Sequence, residues 1–121
     1  MNPVLLLVED DAHVRKVIGD ILQLRGFDIL AAKDDIEAYE ILERDAGRIS
    51  VLVADVDLGT GTTGFDVARR ARALNPKVGV IYCTGTEKYR EAFAVDGSIH
   101  CPKPLNPERL ADAAEQLVSQ A

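Results

Sequence analysis

Glu9, Asp10, Asp55, the hydroxyl of Thr84 and the amine of Lys103 each stand at the end of a short apolar run. Residues 4–8 run into Glu9-Asp10-Asp11, 51–54 into Asp55, 78–83 into Thr84, and 99–102 into Lys103-Pro104. Clustered carboxylates repel and raise one another's pKa unless a cation sits among them. An all-oxygen set with few protein ligands and room for water suits Mg²⁺. An aspartate carboxylate is also a competent nucleophile toward phosphorus, giving an acyl phosphate. The negative oxygens of such a group need donors, and Lys103, the Thr84 hydroxyl and main-chain amides after Asp55 are those at hand. Singly, an acid behind a strand is often a turn or cap residue, and a Lys-Pro pair is incidental. All of them together at strand ends, in this order, are the signal.

Positioning them requires a particular alternation of elements. Strands are expected at 4–9, 27–32, 51–55, 78–84 and 98–102, and helices at 12–25, 35–45, 64–74, 87–94 and 107–120. In the first helix Val14, Val17, Ile18, Ile21, Leu22 and Leu24 recur at helical period, and Gly26 marks its stop. Asn106-Pro107-Glu108 opens the last helix with a cap, a proline at the first position and an acid in the first turn. Val-Leu-Leu-Leu-Val and Val-Leu-Val-Ala do not alternate, which fits strands covered on both faces. Such strands alternating with helices predict an α/β domain, a parallel sheet with helices on both sides. Ligands in such sheets bind beyond the strands' carboxyl ends at a topological switch point, which is where the acids and the lysine fall.

The bulk properties narrow the function further. One domain over 1–121 accounts for the 121 residues, and 47% hydrophobic with 28% charged residues is a globular composition. A net charge of −6 argues against a nucleic-acid surface, and Arg69, Arg70 and Arg72 read as the solvated face of a helix. No run approaches the ~18 apolar residues of a membrane span, and no signal peptide opens the chain, so a cytoplasmic location is expected. Cys83 and Cys101 lack metal-ligand spacing and read as small hydrophobes of buried strands.

With these residues in view, the chain resembles a response-regulator receiver domain over essentially its whole length. Leu-Val-Glu-Asp-Asp looks like the family's acidic pair, Val-Leu-Val-Ala-Asp its phosphoacceptor strand, Tyr-Cys-Thr-Gly its switch-hydroxyl motif, and Cys-Pro-Lys-Pro-Leu its lysine motif. The resemblance implies a flavodoxin-like (βα)5 doubly wound parallel sheet of strand order 2-1-3-4-5. It implies phosphorylation at Asp55, and Mg²⁺ held by Glu9, Asp10, Asp55 and the main-chain carbonyl of Asp57. It also implies Thr84 and Lys103 as phosphoryl-binding switch residues and a cis Lys103-Pro104 bond. The donor would be a histidine kinase or histidine phosphotransfer protein, and the receiver would switch its affinity for an output partner. A homodimer through helix 4 (87–94), strand 5 and helix 5 is the companion expectation, with no nucleic acid or membrane contacted directly. Turnover of a free substrate is not implied.

Four departures qualify the match. His100 stands where the family usually has Tyr or Phe. The plainer reading makes it an exposed polar residue of an edge strand; the other makes it a possible switch position, an imidazole performing the aromatic's in/out motion. Gly85 after Thr84 suggests open access to the phosphoryl group. Asp57 adds a negative side chain near the pocket. Gly59-Thr60-Gly61-Thr62-Thr63-Gly64 is one residue longer than the commonest loop and lacks its proline, which suggests mobility. His13 reads as a surface residue or a kinase-docking contact. Three rival readings share some of these residues. Gly59, Gly61 and Gly64 match the dinucleotide fingerprint, but Asp55 and Asp57 would repel a pyrophosphate. Asp55-Val56-Asp57 looks like the start of a haloacid-dehalogenase-like aspartyl-phosphate phosphatase, but the chain is short and its acidic pair comes first. The third is a docking module that is never phosphorylated.

Overall fold

The computed structural model describes residues 2–58 and 62–120. Gly59, Thr60 and Gly61, and with them the expected mobility of that loop and most of the dinucleotide fingerprint, lie outside the described residues. Five strands form one parallel sheet: β1 (Val4–Val8), β2 (Asp28–Ala32), β3 (Ile49–Ala54), β4 (Gly79–Thr84) and β5 (Ile99–Pro102), in the order β2-β1-β3-β4-β5. Four α-helices connect and close it: α1 (Ala12–Leu24), α2 (Asp35–Asp45), α3 (Gly64–Leu74) and α4 (Pro107–Ser119). The chain leaves β1 in one direction to β2 and returns past it to β3, so the β1/β3 boundary is the switch point.

The unalternating strands are buried on both faces. Leu6, Val8, Leu52, Ala54, Val80 and Tyr82 pack with Ala38 and Leu42 of α2 and with Val67, Ala68 and Ala71 of α3. The intervening Leu5, Leu7, Val51, Val53, Ile81 and Cys83 pack with Ile18 and Leu22 of α1 and with Leu110, Ala111 and Ala114 of α4. Cys83 is buried and Cys101 half-buried, both free thiols; burial pushes both above the ordinary thiol pKa, as expected of small hydrophobes. Arg25, at the end of α1, bonds to Glu108, Asp112 and Glu115 on one face of α4 and clasps the two helices together.

The helix expected at 87–94 does not form. Two turns follow Gly85, with the Lys88 and Tyr89 N–H groups donating to the Gly85 and Thr86 carbonyls at 3.0 and 3.3 Å. Arg90 is extended (φ −132°, ψ 105°), and a single 3₁₀ turn covers Glu91–Phe93. The Arg90 guanidinium takes the carbonyls of Glu87 and Tyr89 at 2.8 and 2.9 Å, the Glu87 oxygen being one a helix would need for its own ladder. Tyr89 stacks on His100 and Phe93 meets Phe65 edge-on, so both aromatic anchors are used without helical geometry. An eight-residue helix starts from a costly nucleus and loses to these contacts.

Candidate functional site

Three of the rim residues are held by an extension of the sheet ladder. The Glu9 N–H donates to Ala32 O (3.0 Å), Asp55 N–H to Val8 O (3.2 Å) and Lys103 N–H to Thr84 O (3.2 Å). The strand ends therefore bring Glu9, Asp10, Asp55, Thr84 and Lys103 to one edge, as the spacing predicts. Glu9, Asp55 and Thr84 are buried, and Asp10 faces solvent. The Lys103–Pro104 peptide is cis.

Lys103 reaches back over the site. Its Nζ donates to Asp55 Oδ2 at 2.6 Å and lies 3.7 Å from Glu9 Oε1. The other Asp55 oxygen, Oδ1, accepts from the Asp57 N–H at 3.0 Å. Glu9 is fixed at both ends: the Asp11 N–H donates to Oε2 (3.1 Å), and the Arg15 guanidinium donates to its main-chain oxygen (2.8 Å). Burial pushes the Glu9 carboxyl above its ordinary value, with the Asp10 and Asp55 carboxylates pushing the same way against Asp11 N–H and Lys103. Burial alone would lower the Lys103 ammonium; the hydrogen bond to Asp55 and the charges of Asp55 and Glu9 outweigh it and hold it above its usual value.

One oxygen each from Glu9, Asp10 and Asp55 can be chosen so that all lie within 4.8 Å of one another. The donors are all hard oxygens, which fits Mg²⁺ and leaves coordination positions for water and a phosphoryl oxygen.

Around this centre the structure adds residues that sequence reasoning missed or misread. His100 is half-buried, not an exposed edge residue: its Nε2–H donates to Thr84 O at 3.0 Å, and its ring lies 4.0 Å from Tyr89 at an interplanar angle of 4°. Glu87 lies beside Gly85, where a Cβ would sit 2.5 Å from its Oε1. The Asp57 carboxylate faces Lys88 Nζ at 3.5 Å. Gly64 opens α3 directly beneath the acceptor strand, where a Cβ would come within 2.2 Å of Asp55 O. The position after the Thr63 cap was the available clue to this glycine. Against α1, His13, Val14, Val17, Ile18, Lys103, Pro104, Leu105 and Pro107 line a groove of about 300 Å³.

A parallel five-stranded sheet with acids and a lysine gathered at its β1/β3 switch point defines the class of flavodoxin-like α/β domains built for a charged ligand. The family described as "Response regulator receiver domain" matches residues 5–115, and the chain belongs to it. It is a receiver domain of the two-component type. It is 29% identical to the aerobic respiration control protein ArcA of Escherichia coli K12, over 98% of this chain and 50% of that protein. A response regulator receiver protein from Sinorhizobium medicae superposes with a TM-score of 0.88 at 27% identity, covering 98% of this chain and 95% of that one. The receiver domain of the hybrid histidine kinase CckA does so with a TM-score of 0.82 at 32% identity, covering 95% and 98%. The chain spans about half the length of the ArcA protein it matches. The dinucleotide and haloacid-dehalogenase readings fall with the family assignment. Among the described residues, no helix is long and apolar enough to cross a membrane.

Proposed function

We propose that Asp55 accepts a phosphoryl group from the phosphohistidine of a histidine kinase or histidine phosphotransfer protein. The observation that carries this is the Lys103 amine on Asp55 at 2.6 Å beside a carboxylate set that fits Mg²⁺. An Asp55 oxygen bonds to phosphorus as the phosphorus–nitrogen bond breaks, and the electron pair returns to the donor imidazole, which takes up a proton. Glu9, Asp10, Asp55 and the main-chain carbonyl of Asp57 would hold Mg²⁺, which supplies positive charge to the phosphoryl oxygens. Lys103 pairs with the new dianionic group, the Thr84 hydroxyl donates to it, and the Asp57 N–H is already aimed at the same carboxylate. The apolar groove between α1 and the Pro104–Leu105 segment, lined in part by His13 and Lys103, suits the docking of the donor.

The same reading assigns the output to the face built from residues 86–97, β5 and α4, where Thr84 contacts His100 and His100 contacts Tyr89. Phosphorylation biases two arrangements of that face that differ in affinity for a partner or a second copy of the chain. A cytoplasmic location follows from the donor. Intact-mass measurement after incubation with acetyl phosphate and Mg²⁺ tests the reading. One added phosphoryl group is expected, absent in Asp55→Asn and after chelation of the metal. A docking module that never carries phosphate gives no adduct from this donor or from a cognate kinase.

A further inference from the structure

Helix α2 begins with two adjacent acids where a cap needs one. Asp34 is the cap, its side chain accepting from the Glu37 N–H at 2.9 Å. Asp35 is buried at 9% exposure and accepts a hydrogen bond from the Thr62 hydroxyl at 2.7 Å, across 27 positions of sequence. A carboxylate leaves water at a cost of several kcal/mol unless it is bonded. The first turn of α2 offsets part of that cost through the helix dipole, and the Thr62 hydroxyl supplies the hydrogen bond.

What the bond fixes is Thr62, the lead-in to α3. Thr62 directly precedes Thr63, which caps α3 and shares a reciprocal capping box with Asp66. Gly64 then lies against the Asp55 carbonyl and donates its N–H to Val56 O at 2.9 Å. At its other end the loop starts with Asp57, whose N–H donates to Asp55 Oδ1. The start of α3 is therefore held against the acceptor strand by main-chain contacts, and its lead-in residue Thr62 is tied to α2 by one side-chain pair.

We propose that Asp35 is a positioning residue for phosphoryl transfer: through Thr62 it steadies Thr63 and Gly64, and with them the start of α3 that lies against the Asp55 carbonyl, so that the acceptor is already in place when phosphorus arrives. The role rests on Asp55 being the phosphoacceptor. Reacting groups displaced by about 1 Å lose on the order of a hundredfold in rate, and an α3 start that has lost its tie to α2 loses part of that.

Phosphoryl uptake from acetyl phosphate with Mg²⁺, followed by intact mass, tests the role on wild-type protein, Asp35→Ala, Thr62→Val, the double variant and Thr62→Ser. Thermal melting is measured alongside. Asp35→Ala and Thr62→Val are each expected to slow the saturated rate about tenfold. The double variant is expected to be no slower than either single one, because both remove the same bond. Thr62→Ser, which keeps the hydroxyl, recovers the rate. Variants that melt lower yet take up the group at the wild-type rate overturn the proposal, as does a double variant whose deficit is the product of the two single deficits. If Asp35→Ala does not fold, the half-buried Thr62→Val and its serine counterpart decide alone. Wild-type protein that takes up nothing overturns the phosphoacceptor reading and this role with it, an outcome distinct from equal rates in all variants.

Discussion

Glu9 is buried beside two other acids and one ammonium, and that placement works against the stability of the metal-free fold. Its carboxyl is raised above the ordinary value, so the folded state holds the Glu9 proton more tightly than the unfolded chain does. The contribution from Glu9 is fully present below its unfolded value of 4.5 and is lost as pH rises through the folded pKa. Glu9→Gln should accordingly raise the metal-free unfolding midpoint in urea at pH 7 and abolish the difference at pH 4, while weakening Mg²⁺ binding. Urea titrations of both proteins at the two pH values check the first part and Mg²⁺ titration the second. The acids, Thr84 and Lys103 were legible in the sequence because each closes an apolar run, and a strand's end fixes where its next side chain goes. Asp35 and Thr62 were not, because two polar residues 27 positions apart carry no periodicity. Their trace is the surplus acid at Asp34-Asp35, which a count of cap requirements exposes.

Helix α3 shows how an element can be fixed by one atom it lacks. With Gly64 against the Asp55 carbonyl, Gly64→Ala places a methyl 2.2 Å from that oxygen and 2.9 Å from its carbon, both main-chain atoms that cannot swing aside. The substitution should cost about 2 kcal/mol of stability, the scale of overpacking in a close-packed interior. It should also slow phosphoryl uptake by the folded protein; chemical denaturation and intact mass read the two effects separately. Strands and four helices were recovered from patterning because burial on one or both faces imposes the period. The helix expected at 87–94 failed for an identifiable reason. Tyr89 and Phe93 are four apart, as on a helix face, yet each is claimed by an aromatic outside the segment, and Arg90 takes two of its carbonyls. Periodicity reports which residues want burial; it does not report which partner takes them.

At the scale of the molecule, two apolar layers share one sheet, and the site sits where the sheet's connections diverge. A phosphoryl mimic that binds only the folded state should therefore stabilise the whole domain. Beryllofluoride with Mg²⁺ at a hundred times its dissociation constant should add about 2.7 kcal/mol, seen as a raised melting temperature. Asp55→Asn should show no rise. The Arg25 clasp joins α1 to α4 through three carboxylates at the surface. Arg25→Ala leaves Glu108, Asp112 and Glu115 repelling one another along one helical face, so melting should fall at low ionic strength and recover part of the loss in 1 M salt. Thermal scans at the two salt concentrations check it.

The contact between Gly64 and Asp55 has a consequence for how such a chain can change over time. The acceptor and the start of α3 touch, whatever the contour length of the chain between them. Added residues there lengthen a closed ring without moving either end, and doubling a ring's length costs only about 0.6 kcal/mol in closure entropy. Shortening is limited by reach, lengthening hardly at all. An insertion between Asp57 and Thr63 is thus one that the acceptor and the start of α3 can absorb without moving.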